Sequence, residues 1–144
     1  MSIEEDPAVS VCFVVEIDDT NLGAFNSCEG LGCEVVLEQR EEGGNNSFVW
    51  QLPSRLKYSN VKFTRPLTKD TEKVARWFAG MTQGVKRTTA HVSAMTADGT
   101  VVARWGLLGV VPVKWQGPSL GTDSPKVATE TLEVAHHGFA PGGS

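Results

Sequence analysis

The order of apolar and polar residues predicts a first strand near the start of the chain. From position 9 to position 17 every odd residue is apolar, namely Val9, Val11, Phe13, Val15 and Ile17. The even positions include Ser10 and Glu16, so the two faces of the segment differ in polarity. Alternation with a period of two is typical of a strand with one buried face. The segment 18–21 then has turn chemistry and ends the strand.

A second extended segment covers residues 32–39, where Val35 and Leu37 alternate with Glu34 and Glu38. It runs into the charged, glycine-rich stretch 41–46, which predicts a surface loop. Shorter β-prone segments lie at 47–52, 61–65, 88–97, 100–105, 107–115 and 126–135. Asp98-Gly99 separates two of them and is a strong hairpin signal.

One segment has the period of a helix instead. Its apolar residues recur at i, i+3, i+4 and i+7, and they are Val74, Trp77, Phe78 and Met81. Thr68 or Asp70 can cap the amino end, and Gly84 can end the segment. The pattern predicts a helix over residues 69–83.

Many short strands and one helix predict a mainly β (α+β) fold, a small antiparallel β-barrel or sandwich with one flanking α-helix. A chain of 144 residues fits a single domain, here 1–144. We expect a short acidic amino-terminal arm at 1–8 and a flexible carboxy-terminal tail from about 139 to 144.

Composition narrows the functional classes. The formal net charge of −4 argues against a dedicated nucleic-acid binder, which usually carries a basic stripe. The acidic amino terminus lacks the pattern of a secretory signal, and no apolar run reaches the ~20 residues that span a bilayer. Synthesis in the cytosol is therefore expected. The odd number of cysteines, 3, predicts small buried thiols in a reducing compartment.

One sequence string resembles a catalytic motif. Gly117-Pro118-Ser119-Leu120-Gly121 matches the G-x-S-x-G nucleophile elbow, with His136 downstream. That mechanism needs a strained turn between a strand and a helix, whereas here a turn and then a strand follow. A plain β-turn is the better interpretation, and we expect no enzymatic activity.

Metal and cofactor sites are not expected either. His136 and His137 are adjacent at the end of a strand, where neighbouring side chains point to opposite faces and cannot readily share an ion.

A series of short motifs follows along the chain in a fixed order: Phe13-x-x-Glu16-Ile17-Asp18, Leu22-Gly23-x-Phe25, Cys28-Glu29-Gly30-Leu31, the stretch 39–45, the stretch 52–60, Trp77-Phe78, Asp98-Gly99, Trp105, the stretch 112–120 and the stretch 130–138. Together, these motifs resemble the phage tail tube protein family of contractile tails. The resemblance spans residues 9–139, with Ser54 and Pro66 departing from the family pattern in loops or turns.

This resemblance implies a subunit of hexameric rings that stack into the inner tube of a phage tail or of a contractile injection system. The implied partners are further copies of the chain, the surrounding sheath protein, baseplate or spike proteins, cap proteins, and the DNA or effector proteins that pass through the lumen. It implies no stable nucleic-acid binding and no membrane insertion. Such a particle would be assembled from protein made in the bacterial cytoplasm.

Two sets of residues become candidates for this role. An extended, glycine-containing segment suits contact with a neighbouring subunit, with the aromatic residues as buried anchors. The interface candidates are Gly43, Gly44, Asn45, Phe48, Trp50 and Tyr58. Acidic side chains in a narrow lumen would repel acidic cargo. The lumen candidates are Glu16, Asp18, Glu130 and Glu133.

Two alternatives stay open from the sequence. One is a monomeric β-barrel that holds a small molecule in its interior, and the other is a small hydrolase that uses Ser119. Assembly into rings or tubes distinguishes the tube subunit from both.

Overall fold

The computed structural model describes residues 11–18, 20–41, 49–118 and 128–140. Within them the chain forms ten strands, one α-helix and one 3-10 turn. The strands are β1 Val11–Ile17, β2 Thr20–Phe25, β3 Ser27–Glu29, β4 Cys33–Glu41, β5 Val49–Tyr58, β6 Val61–Pro66, β7 Thr88–Thr96, β8 Val101–Gln116, β9 Thr129–Ala135 and β10 Gly138–Phe139. The helix α1 is Thr71–Gly80, and the 3-10 turn is Met81–Gln83. The predicted fold class, mainly antiparallel β with one helix, is confirmed.

The main sheet follows the order β2-β1-β7-β8-β9-β6-β3, and β10 pairs with β8. Its two ends, β2 and β3, are consecutive in the chain and join at Asn26, whose N–H donates to the Thr64 carbonyl at 2.9 Å. The path therefore turns back on itself around one core, as in a small barrel.

Strand β8 links the two halves of this path. It is 16 residues long, and its first part pairs with β7 whereas its last part pairs with β9. Gly109, at φ +61°, lies just before the change of partner, which falls between Val110 and Val111. A long strand that bends from one sheet into the next is how orthogonal sheets share a corner.

The core lies on the inner side of the main sheet. The alternation in β1 predicted that Val15 and Ile17 face the core, and both residues are buried. Phe25 and Phe63 meet at its centre with ring centroids 5.4 Å apart. The other buried apolar residues are Leu22, Val61, Val74, Ala90, Val92, Ala94, Leu107, Val110, Leu132 and Val134. These side chains form one buried apolar core.

The helix lies within the predicted range and buries the predicted face. Val74 is buried, and Trp77 and Phe78 are half-buried against the core. Asp70 occupies the N-cap position, but its carboxylate pairs with Lys73 at 3.0 Å instead of making a cap hydrogen bond. The 3-10 turn extends the helix as far as Gly84, whose φ of +131° ends it.

The hairpin predicted at Asp98-Gly99 is also confirmed, because β7 and β8 pair on either side of it. The Thr96 N–H donates to the Thr100 carbonyl at 2.9 Å, and the Asp98 carboxylate accepts from the Thr100 N–H at 3.0 Å. Gly99 has a φ of +90°, the left-handed conformation that glycine supplies in such turns.

Two residues of the expected carboxy-terminal tail are held against β8, and the rest of that segment lies outside the described residues, as does the expected arm at 1–8. Phe139 belongs to β10, and the Ala140 N–H donates to the Gly106 carbonyl at 2.8 Å. No helix in the described ranges has the length and hydropathy needed to cross a bilayer.

Candidate interaction surface

Strands β4 and β5 form a two-stranded sheet of their own. Their pairing extends from Cys33 opposite Tyr58 to Glu41 opposite Val49. No other strand pairs with them in the part of the chain that the structure describes. At about 3.3 Å per residue, the nine residues of β4 make this hairpin about 30 Å long.

The two faces of this hairpin differ in polarity. Side chains directly opposite in an antiparallel pair share a face, and Val35 lies opposite Leu56, with Leu37 opposite Pro53. We call these four residues the hairpin's apolar face. The other face carries charges, for example Glu34 opposite Lys57.

The apolar face is open to solvent. Val35 is 49% exposed, Leu37 48% and Leu56 53%. Single exposed aliphatic side chains are common, whereas a contiguous row on an isolated hairpin makes this face a candidate interaction site.

A bulge sets which residues share the apolar face. The pairing shifts between Val36 and Leu37, so Ser54 has no opposite residue on β4. Its hydroxyl donates to the Val36 carbonyl at 3.1 Å, across the bulge. The serine that departs from the family pattern therefore lies where the hairpin changes register.

The base of the hairpin is fixed to the carboxy-terminal segment by an aromatic cluster. The Tyr58 ring lies 5.4 Å from the His136 ring and 5.8 Å from the Phe139 ring, centroid to centroid. Gly138 lies under the Tyr58 ring, and a Cβ there would be 3.1 Å from Tyr58 Cζ. The cluster holds the orientation of the hairpin relative to the barrel.

His136 is buried inside this cluster. Its Nδ1 accepts a hydrogen bond from the Gly138 N–H at 3.1 Å, which requires an unprotonated Nδ1. Burial lowers the pKa of His136 below its ordinary value, with a further contribution from the neighbouring His137. The histidine thus has a structural role in the neutral form.

A second polar cluster lies beneath the helix. Arg65 on β6 donates from Nε to Glu130 at 2.8 Å and from Nη1 to the Leu22 carbonyl at 2.6 Å. Its guanidinium also stacks over the Phe25 ring, 4.1 Å from the centroid. Arg65 and Glu130 are both buried.

Glu130 accepts three side-chain donors in this cluster. Besides Arg65, the Thr71 hydroxyl donates at 2.5 Å and the Trp115 indole N–H at 2.7 Å. Burial raises the pKa of Glu130, but the hydrogen bonds from Thr71, Trp115 and Arg65 outweigh burial and hold that pKa below its usual value. Glu130 therefore joins β6, β8, β9 and the helix as an ionised carboxylate.

This position corrects one of the predicted lumen residues. The expectation that Glu130 faces a lumen is wrong, because its side chain is 0% exposed. Its buried partner Arg65 was missed, since a pairing across 65 residues leaves no local pattern in the sequence.

The other three lumen candidates have side chains that reach the surface. Glu16 on β1 is half-buried, and Asp18 is exposed in the turn after it, at φ +49°. Glu133 is half-buried and accepts from the Asn60 amide at 2.8 Å. Their orientation toward a lumen stays a prediction.

Two of the interface candidates, Trp50 and Tyr58, fall on the same hairpin. Trp50 pairs with Arg40 in the β4–β5 ladder, and Tyr58 is half-buried at the base. Gly43, Gly44, Asn45 and Phe48 lie outside the described residues. The exposed row of Val35, Leu37 and Leu56 was missed: alternation shows that a strand has an apolar face, but not whether the chain itself covers it.

The remaining chemical candidates are placed as follows. Ser119 lies outside the described residues. Cys12 and Cys28 are half-buried, and burial raises the pKa of Cys28 to about 11. Cys33 is exposed, so the expectation of buried thiols is wrong for that residue. The described ranges contain no cluster of His, Cys, Asp and Glu that could hold a metal ion.

Comparison with solved structures identifies the fold first. A chain of the anti-feeding prophage (AFP) baseplate, six-fold symmetrised, superposes with a TM-score of 0.76 at 20% identity, covering 97% of this chain and 96% of that one. A chain of the PVC sheath-tube complex, from an extracellular contractile injection system in the extended state, gives 0.76 at 18%, covering 97% of both. Hcp1 from Flavobacterium johnsoniae gives 0.53 at 16%, covering 92% and 96%. The fold is that of tube proteins of contractile systems.

The family is established by sequence. The chain belongs to the family of the T4-like virus tail tube protein gp19, whose model matches residues 9–140. No curated protein matches the chain.

Proposed function

We propose that this chain is the structural subunit of the inner tube of a contractile tail-like particle. In this proposal copies of the chain form hexameric rings, the rings stack, and the lumen conducts DNA or effector proteins when the sheath contracts. Membership of a tail tube family supports the general role. The observation that carries the assembly is the exposed apolar face of the β4–β5 hairpin.

The physical argument starts from the cost of leaving this face in water. Removing the exposed parts of Val35, Leu37 and Leu56 from water would contribute about 2–4 kcal/mol per contact. A further copy of the chain can cover it with a different surface, which makes the contact heterologous. Heterologous contacts generate a closed ring when the rotation between neighbouring copies adds up to a full turn. When such contacts repeat along an axis, they generate an open stack.

The predicted interface residues fit this arrangement. Gly43, Gly44, Asn45, Phe48 and Trp50 lie toward the far end of the hairpin in sequence, and Tyr58 lies at its base. We infer that the hairpin reaches the neighbouring copy with its far end while Tyr58 fixes its near end.

The proposed lumen surface carries Glu16, Asp18 and Glu133. Together with the net charge of −4 on each chain, their carboxylates would disfavour adhesion of acidic cargo.

The proposed partners follow from the similar assemblies. The related chains occur in structures described as a baseplate, a sheath-tube complex and a tube-terminating cap. By analogy, this subunit would contact a sheath on its outside and baseplate and cap proteins at the ends of the tube. It would be made in the bacterial cytoplasm and assembled into a phage tail or a phage-tail-like particle.

Neither alternative from the sequence gains support. Buried apolar side chains from six strands and the helix pack together in one core, which favours a filled barrel over a ligand-holding one. Membership of a structural family favours a role without catalysis over a hydrolase based on Ser119.

Negative-stain microscopy and native mass spectrometry of the purified full chain test the proposal. The wild-type chain is expected to form six-fold rings or tubes, and Leu56→Asp is expected to abolish them by placing a charge on the apolar face. Val85→Asp is the matched control, because Val85 is 74% exposed and lies outside the hairpin. Circular dichroism checks that both variants fold. Rings from Leu56→Asp at the wild-type yield, or a wild-type chain that stays monomeric, would contradict the proposal.

A further inference from the structure

A groove of about 480 Å³ lies between the helix and the last part of β8. The helix contributes Ala75 and Phe78, and β8 contributes the consecutive residues Val113, Lys114 and Trp115. Consecutive side chains of a strand point to opposite faces, so a groove that touches all three residues runs along the edge of the strand. We call these five residues the edge groove.

The walls of the edge groove are largely apolar and open to solvent. Val113 is 48% exposed and Trp115 is 40% exposed, although the Trp115 indole N–H donates to buried Glu130. Trp115 lies opposite Leu132 of the core, so its side of β8 is the side that packs beneath the helix. The edge groove is therefore the open margin of the apolar layer between the helix and the sheet.

The backbone along the edge groove also has an open side. Residues 111–116 of β8 pair with β9 on one side, and no described residue makes a backbone hydrogen bond to 113–116 on the other side. At about 3.3 Å per residue, this stretch of β8 is about 20 Å long. An open edge beside an apolar groove fits an added β-strand, whose main chain pairs with the edge while alternate side chains enter the groove. A small ligand would fill the groove but leave the edge unpaired.

Strand β4 of the hairpin has the complementary features. It pairs only with β5 in the described ranges, so its other edge is open. Val35 and Leu37 are exposed on one face of β4, and their two-residue spacing is that of the apolar residues in the edge groove. β4 contains no proline, whereas β5 contains Pro53, which has no N–H to donate to a ladder. Of the two hairpin strands, β4 is therefore the better match.

We propose that β4 of one copy adds to the open edge of β8 in a second copy, with Val35 and Leu37 in the edge groove. This inference rests on the proposed assembly and names the surface that covers the hairpin's apolar face. Within one copy β4 does not pair with β8, so the contact is made between copies. Because each copy offers one hairpin and one groove, the contact is heterologous and every copy of a ring or stack can repeat it.

Cross-linking between two different variants tests the contact directly. One copy carries Gln39→Cys, on the same face of β4 as Leu37, and the other carries Ala75→Cys in the edge groove. Both carry Cys33→Ser, because Cys33 is an exposed native thiol. A short bismaleimide is expected to give a covalent dimer from the mixed assembly. In the control pair Val102→Cys, at a position 62% exposed near the other end of β8, replaces Ala75→Cys and should give little product.

A charge in the edge groove should block assembly. Ala75→Arg is expected to lower the yield of rings about tenfold or more, because docking would bury the new charge without a partner. Ala79→Arg is the matched control, since Ala79 is exposed on the same helix and does not line the groove. Circular dichroism checks that both variants fold.

Amide hydrogen exchange reports on the added strand itself. The amides of 113–116 should exchange more slowly in assembled wild-type rings than in the unassembled Leu56→Asp chain, whereas those of 85–87 should exchange alike in both. Unchanged exchange at 113–116, equal cross-linking in the two pairs, or a wild-type yield of rings from Ala75→Arg would overturn the docking of β4 and leave the tube subunit proposal intact. A wild-type chain that stays monomeric, or rings from Leu56→Asp, would overturn both proposals.

Discussion

Glu130 shows how a single residue can be misplaced when its charge is considered without its position in the strand. On β9 it lies on the same face as Leu132 and Val134, and the structure buries it with them, against Arg65, Thr71 and Trp115. These partners come from β6, the helix and β8, so local periodicity cannot identify them. Breaking a buried ion pair by removing one charge is costly, because the other charge stays buried without compensation.

Glu130→Gln is therefore expected to destabilise the fold by about 3–5 kcal/mol. Urea unfolding followed by circular dichroism measures the loss. The control is Glu133→Gln on the same strand, whose carboxylate is only half-buried and which should change stability by about 0.5 kcal/mol or less. Similar losses of unfolding free energy in both variants would show that the buried charge of Arg65 does not require the Glu130 carboxylate.

The same pair gives stability a definite pH dependence. Because the folded-state pKa of Glu130 is lower than its unfolded value, the contribution is complete above the unfolded pKa. It is lost as the pH falls through the folded pKa. In Glu130→Gln the acid limb of the stability profile should be flatter than in the wild type.

Gly138 is a further residue whose identity is fixed by geometry. Its φ of +137° strains any other residue, and a Cβ would press against the Tyr58 ring at 3.1 Å.

We expect Gly138→Ala to cost about 1–3 kcal/mol of stability, from backbone strain and displacement of Tyr58. Thermal or urea unfolding measures it. Gly32→Ala provides the control, because a Cβ at Gly32 meets nothing within 4 Å and its φ is not positive. An unchanged free energy of unfolding in Gly138→Ala would show that the packing of Tyr58 does not require a glycine at position 138.

At the scale of elements, the sequence predicted the strands, helix and turn that are encoded by patterns within a few residues. The alternation in β1, the helical period from Val74 to Met81 and the Asp98-Gly99 turn each reflect interactions within a few residues, and each is present. The isolation of the β4–β5 hairpin is different. Alternation identifies Val35 and Leu37 as one face of a strand, but only the three-dimensional path shows that the barrel leaves this face uncovered.

The hairpin's attachment to the barrel should respond to pH through His136. Burial lowers the pKa of His136, so the neutral form stabilises the fold fully above the unfolded pKa, and this contribution is lost as the pH falls through the folded pKa. Protonation of Nδ1 would also place two donors face to face at the Gly138 N–H.

Hydrogen exchange of the Gly138 and Phe139 amides is therefore expected to accelerate as the pH falls through the folded-state pKa of His136, beyond the intrinsic pH effect on exchange. His136→Asn keeps an acceptor without this titration and should remove the effect. His137→Gln, at an exposed position, should retain it. If His137→Gln abolished the effect instead, the effect would not come from His136, which would contradict the prediction.

At the scale of the whole molecule, the fold separates a closed body from an open appendage. In the body, the terminal strands β2 and β3 of the main sheet meet at Asn26 and apolar side chains form a buried core. In the described ranges, β4 and β5 of the hairpin pair only with each other. This division suits a subunit that folds alone and still presents a surface for assembly. Such a property belongs to the complete chain, and no single motif in the sequence contains it.

The anchored base of the hairpin sets the precision with which its far end can be aimed. The hairpin is a lever about 30 Å long. A rotation of about 10° at the base would displace the far end by about 5 Å, whereas functional contacts tolerate displacements of roughly 0.5 Å. The packing of Tyr58 against Gly138, His136 and Phe139 thus limits rotation of the hairpin at its base. Small losses of this packing should therefore cause large errors of alignment at the far end.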